Sequence, residues 1–251
     1  MSLSGQLLLF AASLLANGFS ALAGGGAGLL QLPVLLFLGL PFAIALATHK
    51  VASVALGVGA TVRHLREEGL ERALTAWILL AGLPGVLLGA NIILVVPDRE
   101  AELALGVLTC AVGLYSIARP RLGMSPRPRR RTGAGLVTGL AGLFVAGVLN
   151  GSLTSGTGLL VTLWLVTWFG LDYRRAVAHT LVLVGLFWNG LGALTLGVLA
   201  EVRWSWLPAL LAGSLLGGYW GAHLSIVRGN RWVKRAFETV TLLVGLKLIL
   251  G

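Results

Sequence analysis

Apolar runs as long as a lipid bilayer is thick recur along this chain, and they limit what it can fold into. Residues 73–96 and 176–198 each carry the number of consecutive apolar residues expected of a membrane-spanning helix. The chain of 251 residues is 57% hydrophobic and 11% charged, and a soluble domain of this size lacks the interior to hide so much apolar surface. The sequence therefore predicts an all-α polytopic membrane protein.

The charged residues are few, and most of them are basic. The formal net charge is +10, but the Lys and Arg residues cluster in short stretches between apolar runs, as the positive-inside rule describes for membrane proteins. No basic face of a soluble fold is available for nucleic acid, so nucleic-acid binding is not expected. The single cysteine, Cys110, excludes an intrachain disulfide and a cysteine-based metal site. Neither a metal nor a cofactor is predicted.

The second half of the chain resembles the first at an offset of 131–133 residues. Three pairs of segments align, with several polar residues in the same order: 17–28 with 150–158, 43–50 with 175–181, and 79–91 with 210–223. The sequence therefore predicts a first membrane repeat at 1–118, a basic linker at 119–132 and a second membrane repeat at 133–251.

Each repeat opens with a long apolar region that glycines interrupt, at 5–38 and 133–170. Three ordinary membrane spans follow in each repeat, at 42–62, 73–96 and 101–118, and then at 174–198, 204–226 and 232–250. An opening region of 34 residues would rise about 50 Å as one helix, whereas the hydrocarbon core is about 30 Å thick. The region is therefore either one tilted, broken helix or a hairpin of two short helices.

The basic residues discriminate between these two topologies. With a single crossing, 11 Lys and Arg residues lie on the linker side and 7 on the other, whereas a hairpin gives 15 and 3, with Lys50 left out of both counts. The positive-inside rule favours the hairpin. We therefore expect two inverted repeats, each a glycine-interrupted helical hairpin plus three transmembrane helices. Both termini would lie outside and the Arg-rich central loop would be cytoplasmic.

Glycine-rich breaks in membrane helices are typical of transporter binding sites near the bilayer midplane. The backbone N–H groups at such breaks lie at the positive ends of short helices and suit an anion. We expect two hairpin tips to form one anion site, with Asn17 and Asn150 bracing the turns. The alternative is close helix packing through small residues. The candidate residues at the tips are Gly24, Gly25, Gly26, Gly28, Asn150, Thr154, Ser155, Gly156, Thr157 and Gly158.

The segment "ATHK" places a lysine within an apolar span. Lys50 lies about eight residues into the span, where a lysine costs about 2.5–3.5 kcal/mol on insertion scales, so a functional role is the default hypothesis. It would supply positive charge to an anionic substrate; alternatively, it snorkels to the interface or caps backbone carbonyls at a hairpin tip.

Other polar residues of the spans are further candidates. Histidines here would bind substrate or carry a coupling proton, or serve as buried hydrogen-bonding groups. The remaining substrate-site candidates are Thr48, His49, His179 and Thr180, and candidates for the pathway or its support are Gln31, Trp188 and Asn189.

These residues resemble the TauE/SafE family of membrane proteins, the sulfite and sulfonate exporters and uptake permeases. The resemblance covers nearly the whole chain and is strongest at Gly24–Gly28, Pro33, "GLP" at 39–41, "ATHKVAS" at 47–53 and Ser155–Gly158. His49 departs from the Ser or Asn usual in the family. The resemblance implies transport of sulfite, sulfonates or sulfoacetate-like anions across a prokaryotic inner membrane.

The leading interpretation is therefore a secondary transporter, not an enzyme, that works by alternating access. Its expected partners are a small anion, a coupling proton or ion, and the bilayer, and it would be a monomer or homodimer. One alternative is a passive anion channel. Another is an intramembrane serine hydrolase using Ser155 and His179, which would need nucleophile and base in contact.

Overall fold

The computed structural model describes residues 3–64, 66, 69–92, 98–127, 129–153, 156–199 and 201–250, which form helices and the turns between them. The α-helices are α1 (Leu3–Ala23), α2 (Ala27–Phe37), α3 (Phe42–His64), α4 (Arg72–Ile92), α5 (Asp98–Ile117), α6 (Gly133–Ser152), α7 (Thr157–Thr167), α8 (Tyr173–His179), α9 (Asn189–Leu199), α10 (Leu207–Arg228) and α11 (Asn230–Leu250). A π-helix, Thr180–Trp188, joins α8 to α9, and a 3₁₀ turn, Trp204–Trp206, precedes α10.

Helices occupy the predicted spans, which confirms the all-α membrane class. Six helical segments of the described chain are long and apolar enough to cross a bilayer: Leu3–Ala23, Ile44–His64, Arg72–Ile92, Gly133–Ser152, Tyr173–Val198 and Trp204–Arg228. The predicted spans 101–118 and 232–250 form α5 and α11, which are not in this set. They pack on each other, and Lys234 on α11 forms a salt bridge with Glu238 and donates to the Ser116 carbonyl of α5.

Each glycine-interrupted region folds back on itself. Gln31 Nε2 on α2 donates to Ser13 Oγ on α1 at 2.8 Å, although a continuous helix would separate residues 18 apart by about 27 Å. In the second half, Trp164 Nε1 on α7 donates to the Gly139 carbonyl of α6 at 3.1 Å. Both regions are therefore helical hairpins.

The basic loops gather at one end of the molecule. Arg127 N donates to the Gly170 carbonyl at 2.6 Å, Asn230 Nδ2 donates to the Met124 carbonyl at 3.2 Å, and Arg131 forms a salt bridge with Glu71. We call this end the linker face; it comprises 69–71, 119–127, 129–131, 168–172 and 229–230. A single crossing in the second half would put 168–172 opposite the linker, so the grouping supports the hairpin topology.

The opposite end of the molecule contains the beginning of α1 and the end of α11. Gln6 Nε2 donates to the Ser205 carbonyl at 2.9 Å, and Arg99 Nη2 donates to the Ile249 carbonyl at 2.7 Å. We call this end the terminal face; it comprises Gln6, 203–205, Arg99 and Ile249. That the two halves are inverted repeats, and which face is cytoplasmic, stay predictions.

The two halves pack on each other reciprocally, through glycines. Helix α1 packs on α10, and α6 packs on α4. A Cβ atom placed on Gly85 of α4 would lie 2.3 Å from the Phe144 carbonyl oxygen, and one on Gly221 of α10 would lie 2.2 Å from the Gly18 carbonyl oxygen. Small residues thus let these backbones touch.

Candidate functional site

The break between α1 and α2 requires glycine because of its backbone conformation. Gly24, Gly25 and Gly26 have φ angles of 93°, 124° and 98°, values that side chains with a Cβ rarely adopt. Gly156, between α6 and α7, has a φ of 75°. Thr154 and Ser155, which the sequence placed at this second tip, lie outside the described residues.

The two hairpin tips meet backbone to backbone. A Cβ atom on Gly25 would lie 2.6 Å from Gly158 Cα, and one on Gly158 would lie 2.9 Å from Gly25 Cα. Thr162 Oγ1 donates to the Gly24 carbonyl at 2.7 Å. Both hairpins therefore bring the first N–H groups of α2 and α7, which have no carbonyl partner within their own helices, to one place.

A small cavity of about 30 Å³ lies between the tips, α3 and the π-helix. That volume holds about two water molecules. Among the predicted residues, those that line it are Gly25, Gly26, Gly28, His49, Asn150, Thr157, Gly158, Thr180 and Asn189.

Lys50 is fully buried and lies immediately behind this cavity. Its Nζ donates to the Asn150 carbonyl at 2.7 Å, to Asn150 Oδ1 at 3.0 Å and to Asn189 Oδ1 at 3.3 Å. All three N–H groups of the ammonium thus have neutral acceptors. Lys50 does not itself line the cavity, and it caps a carbonyl near the end of α6, which is one of the alternatives that the sequence left open.

Asn150 links this buried charge to the second tip. Its Nδ2 donates to Thr157 Oγ1 at 3.0 Å and to Asn189 Oδ1 at 3.3 Å. Because Asn150 and Asn189 contact Lys50 and also line the cavity, the positive charge is one side chain away from anything bound there. Asn150 braces its turn as the sequence suggested.

His49 is held in one orientation by α2. Its Nδ1 lies 2.7 Å from Gln31 Oε1, and Gln31 uses its amide N–H to donate to Ser13 Oγ. The network therefore assigns the proton to Nδ1, so a neutral His49 keeps an acceptor lone pair on Nε2. Gln31 supports the site from behind and does not line the cavity.

Three other predicted residues do not line the cavity. Thr48 Oγ1 accepts from Arg203 N at 2.9 Å, near the terminal face. Asn17 Nδ2 donates to Ser13 O at 2.7 Å and to Ser214 Oγ at 3.0 Å, so it joins α1 to α10 and does not brace the tip. Gly24 is at the tip, but a Cβ atom added to it would contact Val177 and Thr162 and not the cavity.

Trp188 is a packing residue. Its indole Nε1 donates to the Ile78 carbonyl at 3.2 Å, and a Cβ on Gly82 would lie 1.7 Å from the ring. The suggestion that it lines the pathway does not fit, because the ring fills the contact between the π-helix and α4.

His179 lies on the side of its helix that faces the loops. Its Nδ1 lies 2.8 Å from the Arg175 carbonyl, and its Nε2 accepts from Glu71 N at 3.1 Å. Both ring nitrogens are therefore engaged by backbone groups. This arrangement leaves no lone pair for a general base, which argues against the serine-hydrolase alternative.

Sequence reasoning missed the two polar cavity residues Ser20 and Ser53, and the π-helix. Ser53 lies four residues after His49 on the same face of α3, a spacing that was visible in the sequence. The π-helix had no such signal, since the apolar run Thr180–Trp188 is compatible with an ordinary α-helix.

Comparisons with known proteins converge on one family. The model of the sulfite exporter TauE/SafE family matches residues 9–248. A "probable membrane transporter protein" of Haemophilus influenzae is 29% identical over 96% of this chain and 93% of its own length. The "probable membrane transporter protein YfcA" of Escherichia coli K12 is 28% identical over 96% and 88%, and YjnA of Bacillus subtilis is 27% identical over 90% and 92%. No solved structure matches the chain significantly.

Proposed function

Because the chain belongs to the sulfite exporter TauE/SafE family and is a multi-pass membrane protein of the transporter type, we propose that it is a secondary transporter of small sulfur-containing anions. Sulfite, sulfonates and sulfoacetate-like compounds are the proposed substrates. The anion binds between the two hairpin tips and crosses by alternating access of the two halves in a prokaryotic inner membrane.

The observation that carries this proposal is the buried lysine of the central site. Lys50 is buried, and its hydrogen-bond acceptors are all neutral, so no carboxylate among them compensates the ammonium. The N-terminal ends of α2 and α7 add positive potential at the same place. An anion in the cavity supplies the missing negative charge.

The small volume of the cavity supports alternating access over a passive channel. A permanently open pore needs a continuous water path, whereas here the tips touch through Gly25 and Gly158. Anion flux into proteoliposomes under an imposed pH gradient tests this. Acceleration by the gradient supports a proton-coupled carrier, and flux that follows the anion gradient alone favours the channel.

The first experiment measures the thermal stability of the purified protein with sulfite, thiosulfate, sulfate, sulfoacetate, taurine, acetate and chloride. A ligand that binds only the folded state raises its stability. We expect selective stabilisation by one or more sulfur anions, and loss of that stabilisation in Lys50→Ala. If Lys50→Ala is still stabilised by the anion, the anion binds at another site.

The topology and assembly are tested separately. A reporter fused to the C-terminus is expected outside the cytoplasm, and one inserted in the 119–132 linker inside it. A cytoplasmic C-terminus would contradict the inverted repeats. Mass measurement in detergent distinguishes the monomer from the homodimer.

A further inference from the structure

A second, larger cavity opens beneath the linker face. It has a volume of about 230 Å³, roughly eight times that of the central cavity, and the ends of α3, α8 and α10 and the loops of the linker face enclose it. Its charged and titratable lining residues are His64, Glu71, Arg131, Arg174, Arg175 and His179. None of these lines the central cavity.

The balance of charge in this cavity is positive among the described lining residues. Three arginines face one carboxylate, that of Glu71, which forms a salt bridge with Arg131. Arg175 has a further partner outside the lining, since its Nε lies 3.7 Å from Asp172 Oδ2. A concave surface that carries one sign of charge concentrates ions of the opposite sign and speeds their arrival.

The two cavities lie on either side of one helical junction. His179, the last residue of α8, lines the outer cavity, and Thr180, the first residue of the π-helix, lines the central one. The first hairpin tip abuts the same junction, because a Cβ on Gly24 would lie 2.6 Å from Val177 Cγ2. This junction and the tip packed on it therefore border both cavities.

From this charge and position we infer that the outer cavity is an anion-binding vestibule on the linker face. It collects small oxyanions through Arg131, Arg174 and Arg175 and delivers them to the central cavity when the α8–π-helix junction and the Gly24 tip separate. The inference rests on the proposed anion transport, to which it adds a second binding site and the side from which that site loads.

Charged thiol reagents test the vestibule without any transport assay. Cys110→Ala removes the native thiol, and Ala178→Cys places a new one on a half-buried lining residue. Two methanethiosulfonate reagents are compared, the anionic sulfonatoethyl and the cationic trimethylammonioethyl derivative. The rate at which each modifies the new cysteine is divided by its rate with a free thiol in solution. We expect the anionic reagent to be favoured by about tenfold or more, the scale of electrostatic focusing in a charged cleft.

Matched variants assign that preference to the arginines. Arg131→Gln and Arg174→Gln should each reduce it, whereas Arg228→Gln, an exposed arginine stacked on Trp232 at the same end, should leave it unchanged. Ser205→Cys on the terminal face should show a ratio near one. Gly69→Cys provides a second vestibule position, because a Cβ there meets no atom within 4 Å.

The inference would be overturned by equal normalised rates for the two reagents, by a preference for the cationic reagent, or by no reaction at either vestibule position. These outcomes are distinguishable from failure of the proposed function. If sulfur anions stabilise the protein through Lys50 while the reagents show no preference, the central site stands without the vestibule. If the anionic reagent is clearly preferred but no anion stabilises the protein, the proposed anion binding at the central site is contradicted and the charged outer cavity stands.

Discussion

Two hydrogen-bonded pairs occupy matching places in the two halves, and they differ in chemistry. Gln31 on α2 contacts His49 on α3, and Thr162 on α7 contacts Thr180 at the start of the π-helix; each pair is 18 residues apart and the pairs are offset by 131. His49 and Thr180 both line the central cavity, whereas the preceding residues, Thr48 and His179, both point away from it. At these two pairs of positions, the matching side chains of the two halves therefore face the same way despite their different chemistry.

The comparison also shows where the halves diverge. Lys50 follows His49, but the matching residue of the second half is Leu181, which is buried and apolar. The first half contributes the cation, and the second half contributes the amides of Asn150 and Asn189 that hold it. The central site is thus built from related backbones with unequal side chains.

The largest effect is expected from removing the cation. Lys50→Met should lower anion affinity by roughly tenfold to a hundredfold, because it removes a positive charge one side chain away from the anion, an attraction of about 1.5–3 kcal/mol at an effective dielectric constant of about 20. Leu181→Met at the matching position, which lines the cavity, keeps the volume and polarity of the side chain and should change affinity little. Anion titrations by thermal shift measure both, and equal losses in the two variants would remove the distinction between the halves.

The next largest effect concerns the contact of the tips. Gly25→Ala should abolish closure and transport, since the new Cβ would lie 2.6 Å from Gly158 Cα at a φ of 124°. Gly39→Ala is the matched control, with a φ of 87° and no atom within 4 Å. It should lower stability by about 1–2 kcal/mol through backbone strain alone. Proteoliposome flux and thermal unfolding separate the two, and normal transport by Gly25→Ala would contradict tip closure.

The two histidines should separate function from stability. His49→Ala should raise the KM for the anion several-fold, because His49 lines the cavity. His179→Ala should leave the KM unchanged when the anion is supplied on the terminal face. It should lower the free energy of unfolding by about 1–3 kcal/mol, since it removes the contacts to Arg175 O and Glu71 N. A matching rise in KM in both variants would mean that the histidines are equivalent after all.

The smallest effect is expected at the supporting residues. Thr162→Val removes the hydrogen bond to the Gly24 carbonyl and should cost about 1 kcal/mol of stability. Gln31→Leu releases His49 from its fixed orientation and should resemble a mild form of His49→Ala in KM. If Thr162→Val changes the transport rate more than Gln31→Leu does, the Thr162–Thr180 pair has the larger role in transport.

Much of this molecule follows from the sequence because the physical signals are strong and local. The apolar runs require membrane helices, the basic loops select the hairpin topology, and the glycine clusters mark the breaks. Predicted spans such as 42–62 and 204–226 fall on α3 and α10 within a few residues. The meeting of the tips was also expected from the sequence, because inverted repeats with broken helices, which stay a prediction here, would place both breaks near the midplane.

Only the tertiary structure decided what individual polar residues contact. His49 and His179 read alike in sequence, but helical rotation turns one toward the central cavity and the other toward the linker face. Likewise, no local pattern tells that Lys50 reaches Asn150, 100 residues away, or that Trp188 packs against Gly82. Composition and periodicity determine which segments enter the membrane, whereas the packing of distant helices determines which side chains meet there.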